Sequence, residues 1–433
     1  MSFVNYFHSN CLPTSFVNLD SRSLVDIQLL RTVTGKPNIP SNHNSHQCVQ
    51  TMENNKKKVI ILEVLLLVFK IIGIFPFGYS PKTKIDNSNR NKSLCATLTG
   101  VTYKISLIAL VCSLYIRKAV VNPNSYLQKL TADPLTDLEV NLASVVLIIL
   151  WSCCLLNRYK AMEVFDKFLE ITNILEKQQQ YWEKREERKF VLTITVHLVL
   201  WIIIAWFAYD AWDPIDWYSS GWYALYMFSK FVMTSCILQY TLLCYEIKNM
   251  AKCLNAILLD FHQLTLHYSN TKIGNFKNIR FMYCSVWNFT RTISHMYGVP
   301  ILIIITYLCY GIIYTLSMMI LNITDGSIVE ALHINRQFYT LHFTSGVAVC
   351  ILIWSTTAAI REFQETGLTV YKIFYRLEGN IELQKEIESF SLELLHQHLK
   401  FTANGFFNLD YPFIKTVISA TISYVILLVK ISK

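Results

Sequence analysis

Charge is scarce in this chain. Asp, Glu, Lys and Arg make up only 16% of its 433 residues, against roughly a quarter in soluble globular domains. A surface that meets water on every side cannot be built from so few, so a soluble enzyme or a disordered chain is excluded. Gly and Pro number only 13 and 10, too few for collagen-like or linker-dominated architectures, and no segment repeats with a solenoid period. None of the twelve cysteines forms a CxxC pair, and Cys112, Cys153, Cys154, Cys236, Cys309 and Cys350 sit inside apolar stretches. They read as buried free thiols rather than a disulfide or metal framework. His396 and His398 are two apart and diverge on a helix, so no zinc site follows. Without a Ser/His/Asp grouping or a phosphate-binding Gly loop, catalysis has no residues to carry it. We therefore expect no enzyme, no metal and no cofactor. The net charge of +9 does not gather into one basic patch interleaved with aromatics, which argues against a nucleic-acid partner.

What the chain has is apolar residues, at 53%, gathered into seven runs long enough to cross a bilayer. They cover roughly 96–116, 139–157, 190–210, 222–246, 293–321, 338–360 and 412–430, and they predict an all-α polytopic membrane protein with seven transmembrane helices. Residues 1–57 are polar, rich in Asn and Ser, and lack the apolar core of a signal peptide, so they are expected to be a disordered cytoplasmic segment. Residues 58–80 hold a further apolar stretch, but Glu63 and Lys70 share one helix face, which suits an amphipathic helix lying in the interface ahead of the first span.

Orientation follows from where the basic residues fall. The stretches after the second and fourth runs carry 8 and 6 Lys or Arg, whereas those after the third and fifth carry none and one. By the positive-inside rule the N-terminus lies inside and, after seven crossings, the C-terminus outside. The sequon at Asn322 then falls in an outer loop, where glycosylation is possible. Residues 158–189 and 361–402 are charged with few helix breakers, so they are expected to prolong neighbouring spans as cytoplasmic helices. This orientation is the reverse of a G-protein-coupled receptor, and no Asp/Glu-Arg-Tyr triplet follows the third span.

The end of the chain, from Phe401, reads FTANGFFNLDYPFIKTVISATISYVILLVKISK, and it resembles the signature end of insect gustatory receptors. In that family a Phe-rich turn containing Gly, then an Asp, leads into a last helix that closes on Thr-Tyr, five aliphatics, Gln and Phe. Gly405, Asp410, Tyr424 and the five aliphatics that follow match. Ser423 replaces the Thr, Lys430 the Gln and Ile431 the Phe. Ile72-Gly73-Ile74-Phe75-Pro76-Phe77 resembles the family's lead-in to its first span, so the resemblance covers residues 58–433.

The resemblance implies a homo- or hetero-tetrameric ligand-gated cation channel in the lipid bilayer, at the plasma membrane of sensory neurons, responding to a small-molecule tastant. It implies one channel domain over 96–433, with a cytoplasmic anchor from about 158–189, 247–291 and 361–410 and a pore helix at 412–431. An odorant receptor of the same superfamily and a seven-span G-protein-coupled receptor are the rival readings. At 100° per residue, Thr416, Ser419, Ser423, Leu427 and Lys430 fall within about 80° on the last helix. This polar stripe suits a pore lining, or equally helix packing through small hydroxyl residues. A ring of Ile426 or Leu427 would close such a pore by dewetting. Four Lys430 side chains at its mouth would repel a passing cation by about 3 kcal/mol, taking about 0.7 kcal/mol for each unit pair 6 Å apart in water. For the ligand, the outer halves of spans three to six offer Trp201, Trp206, Tyr209, Trp222, Tyr226, Tyr307, Tyr310, Tyr314, Tyr339 and His342, with the intramembrane charge Lys230 and with Asp210 as its candidate partner. An aromatic belt at the membrane interface would have the same composition.

Overall fold

A computed structural model of the protein describes residues 67–75, 90–121, 134–178, 184–210, 217–264, 271–324, 328–376 and 381–431. All of them belong to one unit, Leu65–Lys433. The segment expected to be disordered, 1–57, lies outside the described residues, as do 58–66 and 76–80 of the expected lead-in helix.

The chain forms nine long helices among the described residues: α1 Arg90–Val121, α2 Pro134–Leu156, α3 Arg158–Gln178, α4 Lys184–Asp210, α5 Trp217–Leu264, α6 Thr271–Thr324, α7 Ile328–Arg376, α8 Ile381–His396 and α9 Tyr411–Ile431. Every one of the seven apolar runs lies on a helix. Four carry stretches long and apolar enough to cross a membrane, and shorter apolar stretches lie on α1, α4 and α9. Helix is the spanning form available here because it satisfies each backbone N–H and C=O within its own segment. Polar side chains on these helices follow the same logic. Ser144, Thr241, Thr290, Ser317 and Ser345 each donate to a carbonyl four residues earlier on their own helix, so few hydroxyls are left to face hydrocarbon.

Three helices outrun the bilayer. α5, α6 and α7 contain 48, 54 and 49 residues. At 1.5 Å per residue they are about 70–80 Å long, more than twice the roughly 30 Å hydrocarbon core. Their remaining turns therefore project beyond it. The stretch 158–189, expected to prolong a span, instead begins with a separate helix, α3, after a turn at Asn157. The helix expected through 361–402 is divided: α7 ends at Arg376 and α8 starts at Ile381. α8 buries Leu383, Ile387 and Phe390 on one face, where Phe390 meets Phe276 and Tyr283 of α6.

α5 is the central element. Its apolar stretch is 83% buried, against 39–44% in the other three spanning helices, and it buries polar side chains such as Ser229, Lys230, Gln239 and Glu246 along with its apolar ones. It packs most extensively on α7 and also on α2 and α6. Ahead of α1, residues 67–71 make one helical turn that ends in a bend at 72–75. Phe69, Ile72, Ile74 and Phe75 are buried there, Trp151 Nε1 donates to the Ile72 carbonyl at 3.0 Å, and Phe75 meets Phe165 edge-on.

Between α8 and α9 the chain makes a tight hairpin. Asn404 and Gly405 adopt left-handed backbone angles, with φ of 52° and 80°, which glycine takes at no steric cost. Leu409 N–H donates to the Phe401 carbonyl at 2.8 Å. Phe401, Ala403 and Leu409 are buried, Phe401 against Tyr240 of α5, and Thr356 of α7 donates to the Leu409 carbonyl at 2.7 Å. Asp410 then caps α9, its carboxylate accepting from the Phe413 N–H at 3.2 Å.

Candidate functional site

Lys230 lies within the first third of the most deeply buried helix, inside its apolar stretch, and a cation there needs a partner. That partner is Glu139 of α2, with Nζ to Oε1 at 3.2 Å and both side chains fully buried. Tyr226, one turn before Lys230 on the same face of α5, donates its hydroxyl to the same Oε1 at 2.7 Å. His342 of α7 approaches that oxygen too, through Nε2 at 2.7 Å. A carboxylate only accepts, so Nε2 carries the proton here. The 3.1 Å separation between Lys230 Nζ and His342 Nε2 is therefore crowding of two donors around one acceptor. The Lys230 ammonium also stands over the rings of Tyr307, 4.4 Å from its centroid, and Tyr226, at 5.4 Å, an arrangement that attracts a cation to the aromatic faces.

The result joins α2, α5, α6 and α7 at one point, and it is lopsided. Three donors converge on Oε1, while Glu139 Oε2 and the Tyr307 hydroxyl are buried without a hydrogen-bond partner. Each such orphan costs about 1–3 kcal/mol. Gly311 of α6 makes room for the cluster, because a β-carbon there would collide with the His342 ring.

Against His342 lies an open, groove-like cavity of about 630 Å³ between α6 and α7, lined by His342, Tyr339, Ile312, Thr315, Phe343, Gly346, Cys350 and Trp354 among others. Its volume falls in the range of small-molecule sites.

The sequence-selected residues divide accordingly. Tyr226, Lys230, Tyr307 and His342 come together in the cluster, and Tyr339 lines the cavity. Tyr314 is buried and Tyr310 half-buried on the same helix as Tyr307. Trp201 is placed elsewhere: its Nε1 donates to Thr234 at 3.1 Å and its ring meets Phe231 edge-on. Trp206 is 71% exposed, which fits the belt reading. The side chains of Tyr209, Asp210 and Trp222 lie outside the described residues. Lys230 is paired with Glu139, which the sequence reading passed over as the first residue of a span. A buried cation demands a buried anion, but nothing in the sequence distinguishes Glu139 from other carboxylates at span ends such as Asp210. Lys104 of α1, only 2% exposed, was passed over as well. Among the described residues no group of His, Cys, Asp and Glu is placed to hold a metal ion.

On α9, Thr416, Ser419, Ser423, Ile426, Leu427 and Lys430 are all exposed, while the Ile431 side chain lies outside the described residues. Thr416 and Ser423 donate to carbonyls of their own helix, so the polar stripe is internally satisfied. α9 packs on α6 and α7, and Ile418, Ile422, Tyr424, Ile426 and Leu427 are each 42–54% exposed. Asn322 lies in the last turn of α6, and its side chain is outside the described residues.

Comparison with known proteins agrees with this architecture. The family model described as 7tm Chemosensory receptor matches residues 62–432. Gustatory and pheromone receptor 39a, isoform D, of Drosophila melanogaster is 22% identical over 85% of this chain and 94% of its own length. The candidate gustatory receptor 2a of the same fly is 27% identical, but the match spans only 35% of this chain and 40% of that protein. Among solved structures, the insect olfactory receptor OR5 from Machilis hrabei aligns with a TM-score of 0.59 at 11% identity, covering 87% of this chain and 99% of its own. The same receptor in complex with eugenol aligns with a TM-score of 0.54 at 13% identity, covering 85% and 97%. The match over nearly the whole length, on an all-helical membrane fold, places this chain in the 7tm chemosensory receptor family.

Proposed function

We propose that the protein is a gustatory-type subunit of a ligand-gated cation channel, opened by a small-molecule tastant at the plasma membrane of a sensory neuron. One observation carries the reading: a fully buried ionic cluster, with two orphaned polar atoms, stands beside a cavity of ligand size. Purely structural packing would be better served by apolar side chains, whereas a ligand that engages His342 would loosen one of three donors on Glu139. The solved relative's complex with eugenol supports a small organic molecule as ligand. The gustatory names of the sequence relatives favour taste over olfaction.

The pore in this reading belongs to an assembly. α9 exposes side chains on most of its surface, so four copies around an axis would bury one face, present Thr416, Ser419 and Ser423 to ions, and close at Ile426 and Leu427. Ile431 and Lys430 would lie at the outer mouth, with the N-terminus inside, the C-terminus outside and Asn322 near the outer surface. Residues 158–189, 247–291 and 361–410 would form the cytoplasmic anchor between subunits. Motion at His342 has a continuous route to α9: the same helix carries Thr356, which holds the Leu409 carbonyl beside the cap of α9.

The test is whole-cell recording from cells expressing the chain with a C-terminal epitope tag, alone and with other family subunits, under a tastant panel. We expect the tag to be stained without permeabilisation and cation current to appear, larger for Lys430→Gln homomers than for wild type. A tag reached only after permeabilisation, or no current in any combination, overturns the reading.

A further inference from the structure

We propose that the cavity between α6 and α7 takes a neutral, largely apolar molecule with a single hydrogen-bonding group, which enters from the bilayer, and does not take a polyol. This rests on the cavity being the ligand site.

Three observations lead there. The first is the wall, which is Ile312, Leu316, Phe343, Val347, Ile351 and Trp354 over most of its extent. The Thr315 hydroxyl in that wall is already committed to the Gly311 carbonyl at 2.7 Å. A polyol entering here would lose water from many hydroxyls and find partners for few of them, which burial of its carbons does not offset. The second is the polar end. His342 and Tyr339 are its polar side chains besides Thr315, and His342 Nε2 is already turned to Glu139; Glu139 and Tyr307 themselves line no part of the cavity. So small a polar end, an imidazole and a phenol in an otherwise apolar wall, can meet one hydroxyl, which both donates and accepts. The third is the opening. Phe343 and Trp354 are 67% and 45% exposed on apolar helices, so the cavity opens sideways, toward lipid, where molecules of this kind concentrate.

Two residues make the proposal testable. A β-carbon at Gly346 would meet nothing within 4 Å, so Gly346→Leu fills the cavity without straining α7. Cys350 is a free, exposed thiol in the same wall, and its alkylation reports occupancy. The full chain in lipid nanodiscs is treated with a membrane-permeant maleimide, and labelling at Cys350 is followed by peptide mass spectrometry with phenylpropanol or sucrose present. We expect phenylpropanol at about ten times its Kd to slow labelling about tenfold. Sucrose should have no effect, Gly346→Ala should weaken the protection and Gly346→Leu should abolish it. Protection by sucrose, none by phenylpropanol, or protection that survives Gly346→Leu overturns the proposal. So does labelling that is slow without ligand and recovers when the lipid is stripped away, since an acyl chain would then be the occupant. Protection without any cation current would sink the channel reading alone, and sucrose-evoked current without protection would sink this inference alone.

Discussion

Among the described residues two ionic clusters, each built on glutamate carboxylates, sit in opposite surroundings. Around Glu139 every charged side chain is essentially fully buried. Where α8 meets α6, Arg280 bridges Glu386 at 3.2 Å and Glu393 at 2.9 Å with side chains still 26–29% exposed. Coulomb attraction at a given distance is several-fold stronger away from water, and so is the cost of leaving one partner alone. The buried cluster should therefore act as an all-or-none unit joining four helices, whereas the α8 cluster should behave as a set of small, separable contributions.

The largest expected effect breaks the buried unit. Lys230→Met removes the lysine cation paired with the buried Glu139 carboxylate, leaving Tyr226 and His342 as its donors, and should destabilise the protein by about 3–5 kcal/mol. Glu139→Gln combined with Lys230→Met should recover most of that loss, because no unpaired charge remains. Thermal unfolding in nanodiscs reads both. Arg280→Gln is the matching change in the α8 cluster and should cost no more than about 1 kcal/mol. Equal losses from the two single variants would show that burial does not separate the clusters.

A second change tests geometry without touching charge. Gly311→Ala drives a methyl group into the His342 ring, and overpacking of this kind costs about 1–3 kcal/mol. Because His342 holds Glu139 Oε1, the variant should also alter tastant potency if the cluster senses the ligand. Gly274→Ala is its control, since a β-carbon there meets nothing within 4 Å.

These clusters also mark what could be read from sequence. Bilayer thickness dictates run length, so all seven apolar runs were legible, whereas the charged stretches did not show where helices break: 158–178 forms the separate α3, and 361–402 is divided between α7 and α8. Lys230 was legible because a charge inside an apolar run is costly wherever it lies. Glu139 was not, because it begins a run, where water is the ordinary partner, and only the tertiary packing of α2 on α5 removes that water. Aromatic composition could not separate Tyr307, under the Lys230 ammonium, from Trp206, which faces outward. Rings of both kinds occur near interfaces, and only helix rotation decides between them. On α9 the hydroxyl stripe was visible, but not that Thr416 and Ser423 are satisfied by their own helix.

The hairpin before α9 is exposed at its tip and anchored by buried Phe401, Ala403 and Leu409, and its cap should contribute modestly. Asp410 supplies one hydrogen bond to the first turn of α9, and Asp410→Ala should cost about 1 kcal/mol. Asp410→Asn retains the accepting oxygen and should restore most of it. If α9 carries the gate, Ala should shift the ligand dose-response while Asn should not.

The smallest effect is a pH dependence confined to the α8 cluster. Partial burial pushes the Glu393 carboxyl up, but hydrogen bonds from Cys284 and Arg280, the Arg280 charge and Gln397 outweigh it, so its pKa lies below the usual 4.5. The folded protein thus holds this carboxylate ionised more firmly than the unfolded chain does. Its contribution is complete above the unfolded value of about 4.5 and is lost as pH falls through the lower folded value. Solvent screens the site, so the loss should be a few tenths of a kcal/mol. Unfolding midpoints of wild type and Glu393→Gln should run parallel at neutral pH and converge below about 4.5. Curves that stay parallel through the acid range would mean that Arg280 and Cys284 hold the protonated acid equally well, and the α8 cluster would then be packing rather than an ion pair.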